Sequence, residues 1–180
     1  MKPNIKDLSF KELTAFLSEH HHPVYRAKQI WQWLFQKRAI TFAEMTNLSR
    51  SLREQLDENF SIGRLPTLRR AESRDGTVKF LFGLVDEVSI ESVLIPEPRR
   101  LTLCVSTQAG CGFGCTFCAT AVLGLKRNLM ASEIVEQILE AFPQTQLIRL
   151  NCQSTTRLFW SKLRRFSLGR SWRRLEERLF

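Results

Sequence analysis

The sequence predicts a mixed fold, α+β passing into α/β: a small N-terminal helical domain, a short β segment and the start of a β/α unit. Three observations predict it. Apolar residues recur at spacings of three and four within residues 4–62, the helical period. Between residues 67 and 104 the pattern becomes apolar–polar alternation broken by turn signals, the strand period. A last β run then enters a glycine-rich cysteine loop followed by an amphipathic stretch, which is the order strand, loop, helix.

The first helix opens at Ser9-Phe10-Lys11-Glu12 and runs to about Leu17. This is a capping box, in which serine and glutamate side chains each accept a backbone N–H of the other. After the break at His20-His21-His22-Pro23, a second helix presents Ala27, Ile30, Trp31, Leu34 and Phe35 on one face. A third opens at Ser51-Leu52-Arg53-Glu54, buries Leu52, Leu56 and Phe60, and stops near Gly63. Arg74-Asp75-Gly76-Thr77 reads as a turn between strands. Strands follow at Val78–Leu84 and Val88–Ile95, the latter interrupted by Pro96 and Pro98, and then at Leu101–Ser106. Residues 132–142 read as an amphipathic helix capped by Ser132, with Ile134, Val135, Ile138, Leu139 and Phe142 along its apolar face. Glu133 and Glu136 suit the positive end of its dipole. After Pro143 the periodicity fails, and no following parallel strand is expected. The domains are thus 1–64, helical; 65–98, β-rich; 99–142, the β/α unit with the cysteine loop; and 143–180, a basic tail.

Composition narrows the class. The chain has 180 residues, 43% hydrophobic and 25% charged, an ordinary globular balance. No apolar run reaches the roughly 18 residues of a membrane span, and the polar N-terminus lacks the apolar core of a signal peptide. The expectation is a soluble cytoplasmic protein with no membrane partner. Five cysteines in that setting read as thiols or metal ligands rather than disulfides. The net charge of +9 suggests a polyanionic partner. Nine Lys/Arg against two Asp/Glu in residues 143–180 place +7 of it there, leaving +2 for residues 1–142.

Cys111-Gly112-Phe113-Gly114-Cys115-Thr116-Phe117-Cys118 has the spacing C-x3-C-x2-C. Three thiolates can hold three irons of a [4Fe–4S] cluster and leave the fourth open to a substrate or cofactor. Gly110, Gly112 and Gly114 let the backbone approach a bulky cube, and Phe113 and Phe117 can shield it. Two plainer readings stand beside this one. A zinc site would need a second cysteine pair or a histidine, and His20, His21 and His22 lie far away in sequence. Three unrelated buried cysteines are the other.

The wider stretch narrows the choice. Arg100–Cys111 with its Leu103-Cys104-Val105-Ser106 core, the cluster loop, Leu123–Leu129, Ser132-Glu133-Ile134 and the earlier Glu91-Ser92-Val93-Leu94-Ile95-Pro96 together resemble the RlmN/Cfr family, radical S-adenosylmethionine (SAM) methyltransferases that modify adenine in RNA. The helical N-terminal part favours the RlmN branch. The resemblance implies the first part of a radical SAM β/α barrel, a [4Fe–4S] cluster on Cys111, Cys115 and Cys118, and SAM used twice. One SAM methylates a cysteine near the C-terminus; the other is cleaved to a 5′-deoxyadenosyl radical that activates that methyl group for addition to C2 of adenine. A second cysteine then resolves the protein–RNA link. Cys104, seven residues before Cys111, matches that resolving cysteine, and Glu91 matches the proton acceptor. Taken alone, Cys104 reads as a small buried apolar residue and Glu91 as the solvent-facing partner in an alternating strand. The partners implied are ribosomal RNA, transfer RNA and an external reductant such as flavodoxin, with no DNA.

The resemblance covers roughly residues 1–142. The family's barrel is longer than this chain, and its Gly-Glu-Pro motif for SAM does not occur after Phe142, so residues contacting SAM remain unassigned. Cys152, in Asn151-Cys152-Gln153-Ser154, does not match the methyl-carrying cysteine. A chain truncated or frameshifted after about residue 142, and inactive alone, is the expectation. Against it stands a basic RNA-binding tail in which Trp160, Phe166 and Trp172 offer stacking surfaces. The alternatives for function are a non-catalytic RNA-binding remnant, methylation at C8 as in the Cfr branch, and an electron carrier, which would want a fourth cysteine ligand.

Overall fold

The computed structural model describes residues 2–98, 100–116, 118–122, 124–141 and 148–152, with backbone alone at Arg100, Ala119 and 148–152. The described residues group into two compact units that divide after Arg64.

The first unit is helical: α1 (Phe10–Glu19), α2 (Arg26–Phe35) and α3 (Arg50–Asn59), with short 3-10 turns at Ile5–Asp7 and Phe42–Glu44. Its core is the set of apolar positions the period marks: Leu13 and Leu17 of α1, Ala27, Ile30 and Leu34 of α2, and Leu52 and Leu56 of α3 are all at most 1% exposed. The chain reverses between α1 and α2 at His21, whose φ is 58°. The Ser9 capping box forms as read, with Glu12 N–H donating to Ser9 Oγ at 3.2 Å and Ser9 N–H to Glu12 Oε2 at 2.6 Å. Ser9→Ala is expected to lower the stability of this unit by about 1 kcal/mol, measured as a shift of the denaturant midpoint of the helical signal. α3 starts earlier than Ser51 predicts. Ser49 is its cap, accepting from Leu52 N–H at 3.3 Å. Glu54, needed for a box at Ser51, is drawn instead to Arg50 at 2.7 Å, a pair one helical turn apart.

The second unit is built on a five-stranded sheet in which four antiparallel strands are joined at one edge by a fifth, parallel one. β1 (Thr67–Glu72), β2 (Val78–Gly83), β3 (Ser89–Glu97) and β4 (Arg100–Val105) run antiparallel in sequence order. The β1–β2 turn is the one read from Asp75-Gly76: Gly76 has φ 80°, and Thr77 N–H donates to Asp75 Oδ1 at 3.0 Å. β1 is exposed throughout and carries Arg69, Arg70 and Glu72, the charged character that discourages edge pairing. One face of the sheet is apolar and buried, formed by Val78, Phe80, Phe82, Ile90, Leu103 and Val105. Helix α5 (Ala131–Ala141) packs on β4 with Ile134, Val135 and Ile138 buried.

Three expectations change here. Pro96 does not end its strand: β3 continues to Glu97, because beyond Leu94 it pairs with β4 alone and its other side needs no donor. Ser132 does not cap α5. It is buried within the first turn, and Glu133 Oε2 accepts the Met130 N–H at 2.7 Å in its place. Finally, a parallel strand does follow Pro143. β7 (Ile148–Cys152) pairs with β4 in parallel, Leu101 opposite Ile148 and Val105 opposite Cys152. Ile148, Leu150 and Cys152 alternate with Arg149 and Asn151, a strand period hidden by the basic composition around it. β4, α5 and β7 thus make a complete β/α/β unit. Phe117, Phe142 and the expected stacking residues Trp160, Phe166 and Trp172 lie outside the described residues.

Candidate functional site

The cysteine loop springs from a feature the sequence did not announce, a two-stranded antiparallel ribbon of β5 (Gln108–Gly110) and β6 (Leu125–Asn128). Its neck is closed by Cys111 N–H donating to Gly124 O at 3.1 Å. Gly110, at φ 76°, lies so close to the opposite backbone that a Cβ there would fall 1.8 Å from Gly124 O. Within the loop, Cys118 N–H donates to Cys115 O at 3.2 Å, and the short helix α4 (Ala119–Val122) begins. Backbone N–H groups of Ala121 and then Thr120 point at the Cys118 sulfur and hold its thiol below the usual cysteine range.

Cys104, Cys111, Cys115 and Cys118 are in no disulfide among the described residues and are of intermediate exposure. Among the described residues no three His, Cys, Asp or Glu side chains come together as a metal-binding group. The donor set nevertheless fits an iron–sulfur cluster: three soft thiols on one loop of eight residues, with Gly112 and Gly114 between them. Gly114, at φ 65°, has nothing within 4 Å of where a Cβ would stand, which leaves room beside the thiols.

Glu91 and Cys104 come from different strands and fall on one face. Val93 lies opposite Cys104, and Glu91 is two residues from Val93 on β3. Paired residues and second neighbours share a face, so the two are diagonal neighbours. This is the sheet face opposite the one buried under α5. Lys79, opposite Val93 on β2, joins them. Its Nζ lies 3.0 Å from Glu91 Oε1, with both side chains about half exposed, at 53% and 52%.

Two supports of this arrangement were not read from the sequence. Gln137 of α5 is fully buried, and its amide binds three segments at once. Its Oε1 accepts from Ser92 Oγ at 2.7 Å and from Ser106 N–H at 2.8 Å, while its Nε2 donates to Ser106 O at 2.9 Å and to Glu133 O at 3.1 Å. Ser106 Oγ in turn donates to Glu91 O at 2.7 Å. The strand end after Cys104, the strand of Glu91 and the helix are therefore tied through one side chain. The available signal was a polar residue inside an apolar stripe, three residues after Ile134 and four before Ala141. The second support is Arg127 on β6, which faces two carboxylates.

Residues 3–62 match the family model of the ribosomal RNA large subunit methyltransferase N-terminal domain. A probable dual-specificity RNA methyltransferase RlmN of Staphylococcus carnosus is 51% identical over 138 residues, 77% of this chain and 38% of that protein. Its counterpart in Halalkalibacterium halodurans is 50% identical over 139 residues, again 77% and 38%. A crystal structure of a radical SAM methyltransferase from Sphaerobacter thermophilus superposes with a TM-score of 0.73 at 38% identity, covering 82% of this chain and 45% of that one. The chain thus spans about two fifths of the length of the curated relatives it matches. Over the stretch these matches cover, the chain is similar to the N-terminal part of RNA methyltransferases named RlmN and of a radical SAM methyltransferase.

Proposed function

We propose that this chain contributes the cluster-bearing N-terminal part of an enzyme that methylates C2 of an adenine in ribosomal and transfer RNA. The observation that carries the reading is that Glu91 and Cys104 share one sheet face on adjacent strands, of which β4 continues through β5 into the cysteine loop. Cys111, Cys115 and Cys118 would hold a [4Fe–4S] cluster, which when bound supplies the single electron for reductive cleavage of SAM.

The chain's own residues have the remaining work. C2 of adenine is not nucleophilic, so substitution there ends with removal of the C2 proton. The Glu91 carboxylate accepts it, and the Lys79 ammonium pins that carboxylate to the open face. The Cys104 thiolate attacks the sulfur that links protein to RNA; an S–S bond forms as the S–C bond breaks, and the departing carbon keeps the electron pair and takes up a proton to become the methyl group. The helical unit contributes RNA contact: Arg26 lies over the Tyr25 ring at 5.0 Å and Lys37 over the Trp33 ring at 3.6 Å, pairing cations for phosphate with aromatic faces for bases. An external reductant such as flavodoxin supplies electrons, and the setting is the cytoplasm. No helix among the described residues is long and apolar enough to cross a membrane.

Two measurements test this. Anaerobic reconstitution with iron and sulfide should give about four irons per chain, and Cys118→Ala should lose them; a chain that prefers zinc would sink the reading. Residues 1–142 grafted onto the remainder of the Staphylococcus carnosus relative should support formation of 2-methyladenosine. Glu91→Gln or Cys104→Ala in that chimera should reduce turnover at least about a hundredfold. Methylation at C8, or methylation indifferent to both substitutions, would refute the assigned roles.

A further inference from the structure

A two-stranded ribbon is at best marginally stable by itself. The one that bears the cysteine loop is three residues long on one side and four on the other, with a register irregularity between Ala109 and Gly110. Something beyond its own ladder must hold it. Arg127, opposite Ala109 on β6, leaves the ribbon and meets two other segments. Its NH1 and NH2 donate to Glu133 Oε2 and Oε1, each at 2.8 Å, a parallel fork onto the first turn of α5. Its Nε donates to Asp86 Oδ2 at 2.6 Å and its NH2 to Asp86 Oδ1 at 3.3 Å, in the turn between β2 and β3. The guanidinium is 31% exposed and Glu133 12%, so solvent screens this cluster less than an ordinary surface pair.

We infer that Arg127 is the positioning residue of the cysteine loop, its planar fork fastening the ribbon at once to the sheet's β2–β3 turn and to α5. The inference rests on the cluster-holding role proposed above and deepens it. The chemistry requires arginine. Two carboxylates approach the guanidinium along different edges, and a lysine ammonium, a point charge, cannot make both bidentate contacts. The hydrogen bonds it donates to Glu133 first and to Asp86 second push the guanidinium further above its ordinary range, in keeping with a cation fully committed to these partners. Arg127 touches no reacting atom; it acts through the backbone that carries Cys111 and Gly124.

The test uses the full chain and its variants Arg127→Met, Arg127→Lys and Asp86→Asn, with Arg50→Gln in the helical unit as control. Amide hydrogen exchange is measured first, without metal. In Arg127→Met and Arg127→Lys the Cys111 amide, bonded to Gly124 O, and the Leu129 amide, bonded to Thr107 O, should exchange about tenfold faster, with amides of β1–β3 and α1–α3 unchanged. After reconstitution, iron loss to a chelator should quicken by about the same factor and the electron paramagnetic resonance line shape of the reduced cluster should change. Asp86→Asn, which leaves the Glu133 fork in place, should fall between and keeps the test decisive if Arg127→Met does not fold. Unchanged exchange in Arg127→Met overturns the inference. So does acceleration spread evenly over β1–β3, which marks general destabilisation, and so does Arg127→Lys behaving as the parent. Failure of the parent chain to take up iron would count against the cluster reading alone, while the exchange data still decide the role of Arg127.

Discussion

Gly110→Ala is expected to abolish iron–sulfur loading while leaving the helical unit folded. A Cβ at this position would stand 1.8 Å from Gly124 O and 3.0 Å from Gly124 C, both backbone atoms that cannot swing aside. The φ of 76° adds the strain of a left-handed conformation for any L side chain. Relief requires moving Gly124, the acceptor of the Cys111 N–H, so the neck of the loop opens at its first ligand. Gly114→Ala separates the two causes. It shares the left-handed φ, at 65°, but has open space around it, so it should lose only about 1 kcal/mol and still take up iron. Iron content and thermal melting, followed separately for each variant, check the pair. Parent-level iron in Gly110→Ala would refute the argument.

Gln137→Leu is expected to lower the stability of the sheet unit by roughly 3–5 kcal/mol, because it strands several buried polar groups at once. Ser92 Oγ loses its acceptor, and Ser106 loses partners for both its N–H and its C=O. Leucine matches the volume and satisfies none of them. Gln137→Glu should be nearly as damaging, since a carboxylate can accept from Ser92 and Ser106 but cannot donate to Ser106 O or Glu133 O. Chemical denaturation followed by near-ultraviolet signals of the sheet unit measures both. A loss below about 1 kcal/mol for the leucine variant would show that these bonds are replaceable by water.

Where residues act through local rules, the sequence was legible. The three helices, the Asp75-Gly76 turn and strands β2 to β4 follow from period and turn chemistry, whereas β1, exposed at every residue, carries no such alternation. The spacing and glycines of Cys111–Cys118 point to cluster chemistry without coordinates. What escaped depends on distance in sequence. The partners of Gln137 lie 31 and 45 residues upstream, and Arg127 reaches 41 residues back to Asp86. No local pattern reports such meetings. β7 escaped for another reason: its alternation is five residues long and sits in a basic stretch that reads as irregular. Ser51 misled because Ser49, two residues earlier, takes the cap of α3 while Glu54 pairs with Arg50; Ser132 misled because α5 already begins at Ala131 and Glu133 accepts the Met130 N–H.

The sheet has two rims of opposite character. Along β1 a bulge between Thr67 and Arg69 and a row of charges make one rim self-repelling toward any flat, uncharged strand. At the other rim the strand direction has already switched to parallel. Assembly is therefore polarised. Among the described strands, the rim formed by β7 is the one a further strand would extend, in the sense that prolongs a parallel array rather than a meander.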